Sequence, residues 1–99
     1  FMSQTIHALF PCNEGKGAEL LGILKEALVD TRAFEGCISI EAFTSADAPD
    51  DVVLWEKFET RAHHEAYLSW RVETGMLDML APVLRSGLEV TYLENHADV

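Results

Sequence analysis

Residues 63–75, HHEAYLSWRVETG, concentrate the side chains that could do chemistry: two histidines, a tyrosine, a tryptophan and an arginine. Imidazole and phenol groups can transfer protons, and aromatic rings can hold a flat organic guest. At about 100° per residue on a helix, His63, Tyr67 and Trp70 fall within an arc of roughly 60°. We therefore predict that this stripe faces the interior and lines a pocket.

The same spacing has a purely structural interpretation. Tyr67 and Trp70 would then be core residues whose polar tips are satisfied at the rim, and His63 would be a solvated or capping histidine. On either interpretation the other side of the helix is polar. We expect the following residues to face water: His64, Glu65 and Ser69.

Metal and cofactor chemistry is not indicated by the sequence. His63 and His64 are neighbours, so on a helix they point about 100° apart and cannot converge on one ion. Cys12 and Cys37 have no metal or redox spacing, and we predict two semi-buried thiols without a bridge. The segment GKGAEL lacks the third glycine of a dinucleotide loop. We therefore expect no cofactor and no metal.

Composition narrows the class of partner. The chain has 99 residues, 48% of them hydrophobic, and a formal net charge of −10. Nucleic acids and anionic membranes bind clustered Lys and Arg, and the sequence has no such cluster. The apolar content is generous for one small core, which predicts an oligomer. The absence of a secretory signal pattern or a long apolar run leads us to expect the cytoplasm.

The elements that must position these residues follow the order βαββαβ, which predicts a ferredoxin-like α+β sandwich with an antiparallel four-stranded sheet. One domain should span residues 1–99, with Phe1 left over from cloning and a frayed tail at 95–99. A helical break is expected near Gly75 and a helix end near Pro82. The predicted strands are 4–12, 37–45, 52–59 and 88–94, and the predicted helical regions are about 16–33 and 60–84.

Four stretches carry a resemblance to a known family: CNEGKG, EGC, ISIEAF and VVLWEKFETRAHHEAYL. The last run is similar to the pattern "apolar strand, Glu, x, aromatic, Glu, Ser/Thr, then a helix with Ala and an aromatic or His". Together they resemble the antibiotic biosynthesis monooxygenase-like proteins of the dimeric α/β-barrel superfamily. The resemblance covers roughly residues 4–95.

That resemblance implies a homodimer with a cavity between helices and sheet in each subunit. Some members oxidise aromatic polyketides or quinols with O2 and no metal or flavin, and others degrade haem. Phe58 stands where the family has a tryptophan two residues after Glu56, and Tyr67 stands at the pocket tryptophan of haem-degrading members. Those members also need an asparagine and a histidine where this sequence has about Phe10 and Leu77. We therefore expect no haem degradation.

The cavity that the resemblance implies would be bounded by apolar and aromatic residues, which suit a flat aromatic ligand. On the third strand, Leu54, Glu56 and Phe58 share the face expected to look at the helices, so Trp55 belongs to the opposite, dimer-facing side. The predicted substrate-binding residues are Phe10, Leu54, Phe58, Tyr67, Trp70 and Leu77.

Four side chains are candidates for proton transfer: His7, Glu56, His63 and Tyr67. For His7 the alternative is a position on the dimer side of the sheet, because it alternates with Ala8 and Phe10. For Glu56 the alternative is a salt bridge with Arg71 or Arg85. The sequence does not choose between them.

The sequence and the resemblance together predict a small cofactor-independent monooxygenase acting on an aromatic, polyketide or quinol-type substrate. Such chemistry needs the protein to hold the ring, exclude water and take up a proton. Two alternatives remain: a non-catalytic dimeric module that binds an apolar small molecule, and a structural interaction domain whose cavity is closed by packing.

Overall fold

The computed structural model describes residues 2–99, and Phe1, interpreted above as a cloning residue, lies outside them. The predicted order βαββαβ is confirmed, with the second helical region divided at Gly75. The strands are β1 (Gln4–Pro11), β2 (Cys37–Ser45), β3 (Ala48–Phe58) and β4 (Glu89–Leu93), and the helices are α1 (Lys16–Ala33), α2 (Arg61–Glu73) and α3 (Met76–Leu80).

The four strands form one antiparallel sheet in the order β2-β3-β1-β4. This is the ferredoxin-like α+β arrangement predicted from the order of elements. On β1 and β3 the side chains alternate between two faces because successive residues of a strand point in opposite directions. One face packs on the helices and is buried, including Ile6, Phe10, Leu54 and Phe58.

The opposite face of the sheet carries apolar side chains that no helix covers. His7 pairs with Trp55 across β1 and β3, and Val53 pairs with Phe43 across β3 and β2. The exposed fractions are 39% for Trp55 and 49% for Phe43. Large apolar side chains exposed side by side mark a surface suited to association.

The hairpin between β2 and β3 is tighter than the sequence predicts. The predicted strands 37–45 and 52–59 leave the polar residues 46–51 as the turn, but β3 begins at Ala48. Two of the three acidic residues in this stretch have partners elsewhere in the fold. Asp50 accepts hydrogen bonds at the start of α1, and Asp51 forms a salt bridge with Arg85. Tertiary contacts therefore allow β3 to begin four residues earlier than the local composition predicts.

Asp50 fixes the start of α1 on the sheet. Its carboxylate accepts hydrogen bonds from the backbone N–H groups of Gly15 at 3.0 Å and Gly17 at 2.9 Å. A Cβ atom at Gly17 would lie 2.5 Å from the carbonyl oxygen of Pro49, so only glycine allows this approach. These bonds stabilise the charged carboxylate and hold the pKa of Asp50 below its ordinary value of 3.8.

We expect Asp50→Asn to lower the melting temperature at pH 7 and to flatten the acid limb of the stability curve. Because the folded-state pKa of Asp50 is depressed, its contribution is complete above pH 3.8 and is lost as pH falls through the lower folded value. Thermal melts between pH 2 and pH 7 measure this. Asp47→Asn, in the exposed hairpin turn, is the matched control, and equal acid limbs for wild type and Asp50→Asn would contradict the prediction.

None of the helices formed by residues 2–99 has the length and apolar character required to cross a membrane.

Candidate functional site

A cavity of about 230 Å³ opens between the helices and the helix-facing side of the sheet. This is where the family resemblance implies a cavity. The walls come from α1, α2 and α3, from the link between α2 and α3, and from Phe10 on β1 and Leu54 on β3. The lining residues are Phe10, Leu20, Ile23, Leu24, Ala27, Leu28, Leu54, Tyr67, Arg71, Thr74, Gly75, Met76, Met79 and Leu80.

Three of the predicted substrate-binding residues, Phe10, Leu54 and Tyr67, line this cavity. The other three lie elsewhere. Phe58 is fully buried in a second cluster with Ile6 and Tyr67, beyond the cavity wall. Trp70 is partly exposed and packs against Phe34, with ring centroids 5.5 Å apart. Leu77 is 59% exposed on the outer side of α3.

A polar corner formed by Thr31, Tyr67 and Arg71 interrupts the apolar wall. The Tyr67 hydroxyl lies 2.7 Å from the Thr31 hydroxyl and accepts a hydrogen bond of 2.9 Å from Nε of Arg71. Nη2 of Arg71 donates to the carbonyl of Ala27 at 2.7 Å and to the Thr31 hydroxyl at 2.9 Å. These bonds use Nε and Nη2, and among residues 2–99 no hydrogen bond occupies the two N–H donors of Nη1.

Tyr67→Phe is expected to cost about 1 kcal/mol of stability, because the hydroxyl has partners on both α1 and α2. Tyr67 also lines the cavity, so the structure combines the two roles that the sequence presented as alternatives. We expect binding of an aromatic ligand to change as well. Chemical denaturation and ligand titration of Tyr67→Phe measure the two effects, with Tyr92→Phe as a second hydroxyl deletion outside the cavity. A variant with unaltered ligand binding would make Tyr67 a core residue only.

A second polar cluster lies deeper, where Glu56 faces His64. The exposed fractions are 2% and 1%, and Oε1 of Glu56 lies 3.5 Å from Nε2 of His64. That distance is within ion-pair range but too long for a strong hydrogen bond, and Oε1 has no hydrogen-bond partner. The other ring nitrogen, Nδ1, lies 2.7 Å from the hydroxyl of Tyr92 on β4. Carboxylate, imidazole and phenol therefore follow one another from the core toward the surface.

The prediction that His64 faces water is wrong, and the α2 stripe lies one residue further along than expected. His64, Tyr67 and Arg71 share the inward side, while His63 lies in the first turn of α2 with its Nδ1 2.6 Å from the hydroxyl of Thr60, the exposed N-cap. Both stripes contain Tyr67 at helical spacing. The imidazole of His64 faces inward, where the buried carboxylate of Glu56 lies opposite it. This pairing is set by the tertiary structure and not by the sequence of α2.

The four candidates for proton transfer do not meet at one place. His7 lies on the uncovered sheet face, where its ring packs edge-on against Trp55 at 6.2 Å. His63 lies in the first turn of α2, hydrogen-bonded to the Thr60 cap and packed beside Gly36. Glu56 pairs with His64, so neither predicted salt bridge with an arginine forms. Of the candidates, Tyr67 alone lines the cavity.

Sequence reasoning missed Thr31, His64, Arg71 and Tyr92. Arg71 follows Tyr67 by four residues and His64 precedes it by three, so helical periodicity contained the signal for both. Thr31 and Tyr92 lie far from α2 in sequence, and only the packing of α1 and β4 brings them to it.

In the described part of the chain, no cluster of side chains supports metal binding or cysteine chemistry. Both cysteines are free thiols, and Cys37 is partly buried as predicted, whereas Cys12 is fully buried and not semi-buried. Burial raises the pKa of each thiol above its ordinary value. Among residues 2–99, no three His, Cys, Asp or Glu side chains are close enough together to hold a metal ion.

Comparison with known proteins places this geometry in a family. No curated protein sequence matches the chain. Protein SO0527 from Shewanella oneidensis is 26% identical, with a TM-score of 0.77 over 92% of this chain and 90% of that one. Rv0793 from Mycobacterium tuberculosis is 25% identical, with a TM-score of 0.70 over 95% of each chain.

A protein of unknown function from Nitrosomonas europaea, NE2512, is 20% identical with a TM-score of 0.82 over 96% of this chain and 90% of that one, and supports the fold alone. The family model described as antibiotic biosynthesis monooxygenase matches residues 3–71, more than half of the chain. This match fits the ferredoxin-like sheet and the cavity between helices and sheet. The chain belongs to the antibiotic biosynthesis monooxygenase family.

Proposed function

We propose that the protein is a small cofactor-independent monooxygenase that oxidises a phenolic or quinol-type aromatic substrate with O2. The observation that supports this function is an apolar cavity with one cationic corner, at Arg71 and Tyr67. Apolar walls with a few convergent polar groups are typical of small-molecule sites. Family membership supports the same class of reaction.

The size of the cavity favours a small substrate. At about 230 Å³ it lies below the roughly 300–1,000 Å³ of typical ligand pockets. Most of its lining is hydrocarbon, including Phe10, Leu24 and Leu54, so it suits the faces of one or two fused rings. A large polyketide would protrude into solvent.

Arg71 gives the cavity a way to favour a substrate anion. A phenol oriented toward the polar corner would present its oxygen to the free Nη1 donors of Arg71. A cation within hydrogen-bond distance favours the charged form of an acid, so the substrate would ionise more readily inside than in water. A phenolate is far more easily oxidised by O2 than the neutral phenol, because it starts with the extra negative charge.

The reaction balances without an added reductant. The phenol first loses its hydroxyl proton, and the phenolate transfers one electron to O2. The two radicals then join through a C–O bond at a ring carbon, which gives a peroxide. Loss of the hydrogen from that carbon and cleavage of the O–O bond form a second C=O group. The second oxygen atom leaves as water with the two protons, so one phenol and one O2 give one quinone and one water.

The decisive experiment is oxidation of 1-naphthol under ¹⁸O2. We expect 1,4-naphthoquinone with one ¹⁸O atom and the consumption of one O2 per quinone, with the second labelled atom in water. Addition of catalase detects hydrogen peroxide, which a simple two-electron oxidation would release instead. Heat-unfolded protein is the control for spontaneous oxidation. Unlabelled quinone, or no rate above that control, would contradict a monooxygenase.

The second candidate function is a non-catalytic module that binds an apolar small molecule, and the predominance of hydrocarbon in the cavity wall favours it. Titration with 1,4-naphthoquinone, followed through the fluorescence of Trp70 near the cavity, separates the two. Binding without turnover of 1-naphthol would support the module. Because the cavity is open, it gives no support to a purely structural domain.

We further propose that the protein is a homodimer joined through the uncovered face of the sheet. Stacked sheets pack with interdigitated side chains, and Trp55, Phe43 and Val53 offer an apolar patch for a second copy. Such a dimer would bury more than roughly 1,000 Å² in total, the size of a stable interface.

Trp55→Glu is expected to dissociate this dimer, because each subunit would bring an unpaired carboxylate into an apolar interface. Sedimentation velocity at micromolar concentration should show a dimer for wild type and a monomer for the variant. Val29→Glu places the same charge at an apolar residue on the exposed side of α1, 63% exposed, and should remain dimeric. A monomeric wild type would overturn the proposal.

A further inference from the structure

The buried pair Glu56 and His64 lies directly beside the cavity wall. Glu56 follows Leu54 on the same face of β3, and side chains two residues apart on a strand are about 6.6 Å apart. On α2, His64 precedes Tyr67 on the inward side, with ring centroids 6.1 Å apart. Leu54 and Tyr67 line the cavity. The carboxylate and the imidazole therefore form the next layer behind them.

The cavity itself offers no proton acceptor of the strength that the proposed reaction needs. Its polar side chains are Tyr67, Arg71 and Thr74. A guanidinium has donors only, and hydroxyl groups are weak bases. The nearest layer provides a carboxylate, and Oε1 of Glu56 has no hydrogen-bond partner although it is buried. A buried oxygen without a hydrogen-bond partner lowers the stability of the fold. Its presence therefore calls for an explanation, and a functional role is one.

The pair also has a connection to the surface. Nδ1 of His64 is 2.7 Å from the Tyr92 hydroxyl. Tyr92 in turn lines a separate groove of about 530 Å³. Most of the groove is polar, with Gln4, Thr60 and Arg61 among its walls, and the Arg61 guanidinium stacks 4.1 Å above the Tyr92 ring. A hydrogen-bonded path thus leads from a buried imidazole to a phenol at a wet surface.

We propose that Glu56, His64 and Tyr92 form a proton relay that takes up the substrate proton beside the cavity and exchanges it with water in the second groove. The role rests on the proposed oxygenation. A water molecule in the cavity takes the proton that the phenol loses and passes it to Glu56, His64 carries it, and Tyr92 passes it outward. When the O–O bond breaks, the same path returns a proton to the departing oxygen, which leaves as water. The three are relay residues and need not touch the substrate.

Two further titratable side chains, Cys37 and Tyr92, lie next to Glu56 and His64. Cys37 on β2 faces Glu56, and burial raises the pKa of its thiol. Burial also raises the pKa of the Tyr92 phenol, with smaller effects from Glu65, Arg61 and Glu56. Both groups therefore stay protonated at pH 7. From the helices, Tyr67 and Arg61 pack against the imidazole and the phenol ring, and Arg32 lies near Cys37.

Tyr92→Phe tests the relay without removing packing, because the ring and its contact with Arg61 remain. With 1-naphthol as substrate, we expect kcat to fall at least tenfold while KM changes less than twofold, and the pH profile to shift. His64→Gln should lower kcat about 100-fold, the range of general acid–base catalysis. His96→Gln, in the exposed C-terminal tail, is the matched control and should behave as wild type.

A second readout is independent of turnover. The ¹⁵N chemical shifts of the His64 ring, followed by NMR against pH, should change in Tyr92→Phe and in Glu56→Gln but not in His96→Gln. Wild-type kcat, KM and pH profile in both Tyr92→Phe and His64→Gln would overturn the relay and leave the monooxygenase standing. Absence of oxidation by wild type would overturn the monooxygenase, and this role with it.

Discussion

Arg71→Met is expected to lower kcat/KM for 1-naphthol oxidation about 100-fold, the loss typical when one donor to a developing anion is removed. The guanidinium is the cation in the cavity wall, and its Nη1 donors are free for the substrate oxygen. Without it the phenol must ionise among hydrocarbon side chains, where an isolated charge is costly. Initial rates of quinone formation, measured across substrate concentrations, give the effect.

Arg71 also holds α1 and α2 together, so its loss should cost about 1–2 kcal/mol of stability. Rates must therefore be compared well below the melting temperature of the variant. Arg71→Lys keeps the charge but loses the planar fork, and we expect an intermediate rate. Lys25→Met removes one positive charge from the exposed side of α1 and should leave kcat/KM unchanged. A wild-type rate in Arg71→Met would show that Arg71 does not meet the substrate anion.

His64→Leu is expected to destabilise the fold by about 3 kcal/mol, the effect of removing one partner of a buried charged pair. Glu56 is 2% exposed and no described residue donates a hydrogen bond to its Oε1, so the imidazole of His64, 3.5 Å away, is the polar group that faces it. Leucine restores volume but leaves the carboxylate isolated. Urea denaturation at pH 7 measures the difference in the free energy of unfolding.

Glu56→Leu/His64→Leu supplies the decisive comparison. Replacing both members of a buried pair by hydrocarbon of similar size is often neutral or stabilising, so the double variant should recover most of the loss. His63→Leu, at the neighbouring but solvent-accessible position, should cost under about 1 kcal/mol. If the single and double variants are equally unstable, the cost reflects packing and not an uncompensated carboxylate.

These two predictions give the two polar clusters of the interior different tasks. Arg71 and Tyr67 line the cavity and are placed to bind, whereas Glu56 and His64 lie behind its wall and are placed to hold a proton. A fold does not by itself determine an activity, so the activity has to be argued from these side chains.

The sequence by itself determined the fold. Alternation in QTIHALFPC and VVLWEKFE, helical spacing between residues 16 and 33, and Gly36 and Gly75 at the helix ends are local signals, and the observed elements follow them closely. Alternation also placed Trp55 on the face opposite Leu54 and Phe58, because the period of two fixes which side chains share a face, and the family resemblance implied which face is turned away from the helices.

Only the tertiary structure decided the site, because its members come from four elements. The predicted stripe on α2 contains His63 and Trp70, and the observed one contains His64 and Arg71. The two differ by a rotation of one residue about the helix axis, and both contain Tyr67 at helical spacing. The choice between them depends on what lies opposite, and the partners are Thr31 on α1, Glu56 on β3 and Tyr92 on β4. Burial of a polar side chain is favourable only where a hydrogen-bond or ionic partner lies opposite it. Here the partners lie on other elements, so no local pattern in the sequence indicates them.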